Sequence, residues 1–211
     1  MPNTHVVSNL KAFNRKERFF LVGTALGNPD FKLCKEFKDL INKALKLDIP
    51  EDTFTAMDYN LDWVYASLVL SRDDNIQIHS NQHRLIHASG EDSDLLVAYE
   101  VNKSCHIIFL EAKGVTLFSN SQLQSKIHRL LNIFGNKGNN WSEVIPHFSI
   151  VSPKEPQRIN VDNWPAWTLC EDKVKWIPLK INHDLKKIVR CNQSGKADNE
   201  GEYWVVKPGE F

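Results

Sequence analysis

SDLLVAYEVNKSCHIIFLEAK, residues 93–113, is the stretch whose reading decides the fold. Two apolar runs, residues 93–101 and 105–113, flank the polar triplet Asn102-Lys103-Ser104, which is the pattern of a β-hairpin. Side chains alternate between the faces of a strand, so Ile107, Phe109, Glu111 and Lys113 point one way while Ile108, Leu110 and Ala112 point the other. A carboxylate and an ammonium therefore share a face at the end of a strand whose beginning is apolar. Unpaired charge is costly to bury, so this pair must be solvated, mutually paired, or engaged with a cation or substrate.

The start of the first strand of an antiparallel hairpin lies opposite the end of the second. That brings Asp94, where the acidic turn Gly90-Glu91-Asp92-Ser93 becomes apolar, beside Glu111 and Lys113. Two carboxylates and the backbone carbonyl of Ala112 are hard oxygen donors of the kind that suits Mg²⁺, with Mn²⁺ as a substitute. A lysine next to such an ion can orient an attacking water or stabilise negative charge developing on a phosphate.

Outward from the hairpin, the periodicity alternates between helix and strand. Residues 13–26 read as a well-buried helix, with Phe13, Phe20 and Leu21 on one face and Phe19, Val22 and Leu26 on another. Gly27-Asn28-Pro29-Asp30 stops that helix and caps the next, over residues 31–47, where Leu33, Phe37, Leu40, Ala44 and Leu47 form an apolar stripe among lysines. Residues 62–70, DWVYASLVL, fit a helix and a strand equally well. Ser119-Asn120-Ser121 supplies an N-cap for a helix over residues 122–134 with the stripe Leu123, Ile127, Leu130 and Phe134. A glycine- and asparagine-rich loop follows, then strands over residues 145–151, 164–169, 174–181 and 203–206.

At 211 residues, 42% apolar and 25% charged, the chain reads as one soluble globular domain, with a core over residues 13–152 and an elaboration over 153–211. No run approaches the roughly 20 apolar residues of a membrane span. The first five residues lack the basic-then-apolar order of a secretion signal. Cys34, Cys105, Cys170 and Cys191 are widely spaced, which favours reduced thiols, and the expectation is a cytoplasmic protein without membrane contact. Net charge is zero, yet residues 1–50 hold nine Lys/Arg against five Asp/Glu, residues 51–101 two against ten, and residues 102–154 six against two. That distribution permits a basic face and an acidic pocket, and equally a scatter of surface charge.

Asp94, then Glu111-Ala112-Lys113 at a strand end 17 residues later, then a helix with Gln122 and Gln124, resembles the PD-(D/E)xK nuclease superfamily. This is the fold of many restriction endonucleases and of archaeal Holliday-junction resolvases. The resemblance covers residues 89–131 by motif and extends to Glu17-Arg18, similar to the glutamate those resolvases carry before the core. It implies a three-layer α/β/α restriction endonuclease-like fold around a central mixed β-sheet, and Mg²⁺-dependent hydrolysis of DNA phosphodiesters. It also implies Asp94 and Glu111 as metal ligands, Lys113 as the water-positioning residue, and Glu17 as an additional acidic ligand. Gln124 would support the site or contact nucleic acid. Many enzymes of this fold act as dimers, so a homodimer belongs to the expectation. No proline precedes Asp94, and His128 stands where many members carry the tyrosine of a Gln-x-x-x-Tyr motif. A second reading is a nuclease-fold binding or scaffold component of a repair or defence complex, without turnover. A third is an interaction domain that binds neither metal nor nucleic acid.

Each remaining candidate carries two readings. Glu17 either binds something on an apolar face or pairs with a nearby Lys or Arg, and Glu36 is its reserve. His79, His83 and His87 could line a helix as zinc ligands, though the residues between them read poorly as one. Trp164, Trp167 and Trp176 serve core packing or base stacking. Lys186, Lys187 and Arg190 are a solvated face or contacts to a nucleic-acid backbone.

Overall fold

A computed structural model describes residues 5–29, 31–72, 77–88, 90–181 and 184–209. The expected cap residue Asp30 and Ser89, the first residue of the family-like segment, lie outside them.

The hairpin forms as expected. Strands β2 (Asp92–Val101) and β3 (Ser104–Ala112) pair antiparallel from Leu95 opposite Leu110 to Val101 opposite Ser104. Asn102 and Lys103 make the two-residue turn with φ of 51° and 68°. Both central residues at positive φ define the turn whose twist matches that of the strands it joins. β1 (Phe54–Asn60) pairs antiparallel with β2 on one side. On the other, β4 (Val144–Ser152) runs parallel to β3, reached through helix α5 (Asn120–Phe134). β7 (Trp176–Pro178) adds a short parallel edge beside β4, completing a mixed five-stranded sheet in the order β1-β2-β3-β4-β7. Pro178 has no N–H to donate, which suits an edge. Ahead of β7, β5 (Leu169–Cys170) and β6 (Lys173–Val174) form a minimal hairpin. The ribbon of β8 (Lys186–Cys191) and β9 (Tyr203–Pro208) stands apart from the central sheet.

Alternation along the central strands creates two apolar faces. Leu96, Ala98, Ile107, Phe109, Phe148 and Ile150 meet three helices: α1 (Val6–Phe13), α4 (Leu61–Leu70) and α5. Val97, Tyr99, Ile108, Leu110, Val151 and Ile177 meet Ile41 and Leu45 of α3 (Lys35–Leu45). The protein is thus mixed α/β, with helices on both faces of a central mixed sheet. Among the described residues, no helix is long and apolar enough to cross a membrane.

Three expectations change. The strand expected over residues 164–169 is instead a 3₁₀ turn, Ala166–Thr168, started after Pro165, and only Leu169 enters a strand, β5. Residues 62–70 are helical, started by the Asn60 side chain, which accepts the Asp62 N–H at 2.7 Å. Sequence could not choose because the helix is apolar nearly all round, with Val64 and Leu68 buried while Trp63, Tyr65 and Val69 pack at its flanks. The single buried helix over residues 13–26 does not form. α1 ends at Phe13, Asn14 and Lys16 are extended, and the short α2 (Glu17–Phe20) runs into a π-helical turn, Leu21–Ala25. Phe20 and Leu21 stay 53% and 60% exposed. The cause is the charged run Arg15-Lys16-Glu17-Arg18: Lys16 reaches Asp92, and Arg18 pairs with Asp58. Val6 and Leu10 fill the core instead.

Candidate active site at the open end of the central hairpin

At the end away from the turn, β2 carries Asp92, Ser93 and Asp94 and β3 carries Glu111. Asp94 lies one step beyond the Leu95–Leu110 pair, opposite Glu111. Its Oδ2 accepts the Ala112 N–H at 2.7 Å, so Asp94 is tied to the strand that carries Glu111. Ser93 Oγ donates to the Leu95 carbonyl at 3.1 Å, bracing the same strand end. Lys113 is half-buried and its N–H donates to the Val151 carbonyl at 2.9 Å, which extends the parallel ladder past Ala112. Glu111, Asp94 and Lys113 therefore meet at one strand end.

Lys126 of α5 completes the group, and sequence reasoning missed it. Glu111 is 6% exposed and Lys126 7%, and the Lys126 ammonium engages Glu111 Oε2 directly. The same ammonium donates to the Asp92 carbonyl at 2.6 Å. Burial raises the Glu111 carboxyl above the usual carboxylate range; Lys126 opposes that shift, the Asp94 charge adds to it, and Lys113 opposes it more weakly. A signal for Lys126 was present in the sequence. It lies three residues after Leu123 and beside Ile127, and a lysine on the flank of a core stripe needs a carboxylate to meet.

Glu111, Lys113 and Lys126 open onto a cavity of about 440 Å³ walled by Gly90, Glu91, Asp92, Glu111 and Lys113, with Ser121, Gln122, Ser125 and Lys126 contributed by α5; Asp94 is not among its wall residues. Asp92 is the second residue that sequence reasoning passed over. Its Oδ2 accepts from Lys16 Nζ at 2.6 Å, while its Oδ1 is buried without a hydrogen-bond partner. A buried oxygen of that kind calls for a donor or a cation. A fourth acid stands across the ladder from Asp94: Asp58, at φ 47°, where β1 skips a pair between Met57–Leu95 and Tyr59–Ser93. Arg18 neutralises it.

The other candidates fall elsewhere. Glu17 opens α2 on the surface, and its side chain makes no hydrogen bond or ion pair among the described residues. Glu36 is exposed on α3, which packs on the sheet face opposite to that of Glu111. Gln124 Nε2 donates to the carbonyls of Asn160 at 3.0 Å and Asp162 at 3.5 Å, tying α5 to a loop; Gln122, one turn before Lys126, is the glutamine on the cavity wall. His79, His83 and His87 are exposed in irregular chain, and the His87 N–H donates to Asp62. Trp164 packs edge-on against Phe148, and Trp167 against Phe134, in the core.

As a donor set, Asp92 and Glu111 on the cavity wall, with Asp94 and the Ala112 carbonyl at the strand ends beside it, are of the type that suits a hard divalent cation, and the orphaned Asp92 Oδ1 is the atom such an ion would satisfy. Against this, among the described residues no three His, Cys, Asp or Glu side chains are grouped closely enough to hold a metal as they stand. The Lys126 ammonium is the cation that Glu111 already holds. No family model, no curated protein and no solved structure matches the chain.

Proposed function

We propose that this chain is a Mg²⁺-dependent nuclease hydrolysing DNA phosphodiester bonds, built on the three-layer α/β/α restriction endonuclease-like fold. The observation that carries the reading is the convergence of Asp94, Glu111 and Lys113 at one strand end, beside a cavity that also holds the unpartnered Asp92 Oδ1. Glu111, Asp92 and Asp94, with the Ala112 carbonyl, would hold the ion. When bound, Mg²⁺ would supply charge neutralisation at the scissile phosphate. Lys113, half-buried on the cavity wall, is placed to donate to an attacking water or a phosphate oxygen. Lys126 orients the Glu111 carboxylate and keeps it from swinging out of the cavity. Gln122 and Ser125 offer neutral hydrogen bonds to a bound phosphate from the first two turns of α5.

Nicking of supercoiled plasmid in Mg²⁺ or Mn²⁺ tests this directly. Glu111→Ala and Lys113→Ala are each expected to lower the rate by about 100-fold or more, the typical effect of removing one charge-stabilising group. Metal-dependent nicking that persists unchanged in both variants overturns the assignment.

One observation favours the second reading, a nuclease-fold binding component without turnover: the ammonium of Lys126 already occupies Glu111 Oε2. Calorimetric titration with Mg²⁺ separates the two. An ion that binds without any nicking supports the binding component.

A further inference from the structure

A second cavity, of about 540 Å³, lies beside the candidate site, and the roles assigned above use none of its walls. Lys113 walls the smaller cavity and Gly114 the larger, so consecutive residues border both. Two irregular segments enclose it: residues 114–118 after β3, and residues 153–159 after β4. β3 and β4 are parallel neighbours, and ligand crevices in open α/β sheets lie beyond the carboxyl ends of such strands. The second segment is fastened to α5. Asn120 Nδ2 donates to the Arg158 carbonyl at 3.2 Å, the Asn160 N–H donates to Asn120 Oδ1 at 2.9 Å, and Gln124 holds the Asn160 carbonyl. The cavity is therefore built before a ligand arrives, which lowers the ordering cost of binding.

Its walls join apolar surface to free cations. Phe118, Pro153, Pro156 and Ile159 are half-buried around it, while Val115 and Leu117 stay 61% and 93% exposed. Apolar surface left open to water around a pocket of ligand size marks a binding site. Lys154 and Arg158 are exposed on the same walls, and no ion pair holds either among the described residues. With Lys113 next to Gly114, three cations surround a slot whose one acidic wall residue is Glu155. A neutral apolar ligand would leave those cations unused. A nucleotide uses both parts, its flat base against the apolar walls and its phosphates on the cations.

We infer that this cavity takes one unpaired nucleobase of a single-stranded DNA substrate, with Lys154 and Arg158 on the flanking phosphates. The inference rests on the nuclease reading for its choice of partner and deepens it to a substrate class. In a duplex the base is stacked and paired, and bringing it out must break both interactions. A free strand reaches the cavity without that cost. Negative supercoiling favours local unpairing, so nicking of supercoiled plasmid remains a readout of the same enzyme.

The test is fluorescence anisotropy of a labelled single-stranded oligodeoxynucleotide of about 12 nucleotides, with the full chain in EDTA, so that binding is read apart from cleavage. A blunt duplex of equal length is expected to bind at least about tenfold more weakly. A Cβ added at Gly114 meets no atom within 4 Å, and its φ is not positive, so a side chain there enters open space. Gly114→Trp fills the slot and should weaken single-strand binding about tenfold or more, the scale of one lost base stack. Gly114→Ala keeps the binding, which separates a filled slot from a damaged fold. Lys154→Ala/Arg158→Ala should also bind more weakly, with a slope of log K against log salt shallower by about 1.4. Unchanged single-strand affinity in Gly114→Trp overturns the inference, as does a duplex that binds as tightly as the single strand. Cleavage by the same proteins in Mg²⁺ distinguishes the failures. Slot-dependent binding without cleavage leaves the pocket standing and removes the nuclease; metal-dependent cleavage untouched by Gly114→Trp does the reverse.

Discussion

The two ends of the β2–β3 hairpin bury polar groups in opposite ways. At the open end, Glu111 and Lys126 meet as an ion pair below a tenth of their full exposure. At the turn end, Tyr99 and His106 lie parallel with ring centroids 4.9 Å apart, and His106 and His147 lie side by side in nearly one plane with centroids 5.2 Å apart, 7° between planes in both pairs. His106 Nδ1 lies 3.0 Å from His147 Nε2, a separation at which one ring donates its N–H to the other. Burial depresses His147 to about 3, assisted by the charges of His106 and Lys175, and lowers His106 as well. Tyr99 is pushed up to about 12, chiefly by burial. The turn end therefore sheds its charge and behaves as core. The open end keeps charge and faces a cavity, which is the property a reactive site needs.

The largest expected effect breaks the open end. Lys126→Met removes the partner of a buried carboxylate, and losses of about 3–5 kcal/mol attend the breaking of such a pair. Pairing it with Glu111→Leu removes both charges, so the double variant should recover most of the loss, because apolar replacement of a whole buried pair is often close to neutral. Urea unfolding of the four proteins in this cycle measures the coupling. Single-variant losses below about 1 kcal/mol would place Glu111 with ordinary solvated pairs, and the contrast between the two ends would vanish.

At the turn end the expected signature is pH. His147 has a folded pKa below its unfolded value of about 6.5. Unfolding therefore takes up a proton between those two values, and stability falls as the pH drops from 6.5 towards 3. The contribution is complete above pH 6.5, and over the span from 6.5 to 4 it amounts to about 3 kcal/mol at most. His147→Phe keeps an aromatic ring beside His106 and removes the proton site, so its stability should fall less steeply across that window. Parallel slopes for the two proteins would mean that His147 is solvated in the folded chain.

The same contrast explains what was legible in sequence. The hairpin, its turn and the meeting of Asp94 with Glu111 follow from alternation and register, which are local and periodic. The α5 stripe was legible for the same reason, and the α3 stripe in part: Phe37, Leu40 and Ala44 pack at the margin of the cluster, while the buried contacts come from Ile41 and Leu45 beside them. The position of Lys126 on the flank of the stripe was legible but its partner was not, and neither were the roles of Asp92 and Lys16, because these depend on which helix flank faces which strand end, 15 to 76 positions away in sequence. The break at Asn14–Lys16 escaped for a related reason. Helical periodicity runs through the segment, but the partners that pull Lys16 and Arg18 out of register, Asp92 and Asp58, belong to strands far along the chain. Gln124 satisfied the wheel argument and went to a loop carbonyl, because a helical wheel ranks burial and carries no information on what lies opposite.

The smallest expected effect sharpens the contrast from the turn. Lys103 sits at φ 68°, a conformation that a side chain with a Cβ adopts at some cost and glycine adopts freely. Asn-Gly is the preferred pair for a two-residue turn of this kind, so Lys103→Gly should stabilise the protein by about 0.5–1 kcal/mol, partly offset by the greater freedom of glycine in the unfolded chain. Because the turn lies at the far end of both strands from Glu111, plasmid nicking and Mg²⁺ binding should be unchanged. A gain in stability accompanied by altered nicking would show that the two ends communicate along the strands, and the division between a structural end and a reactive end would then be wrong.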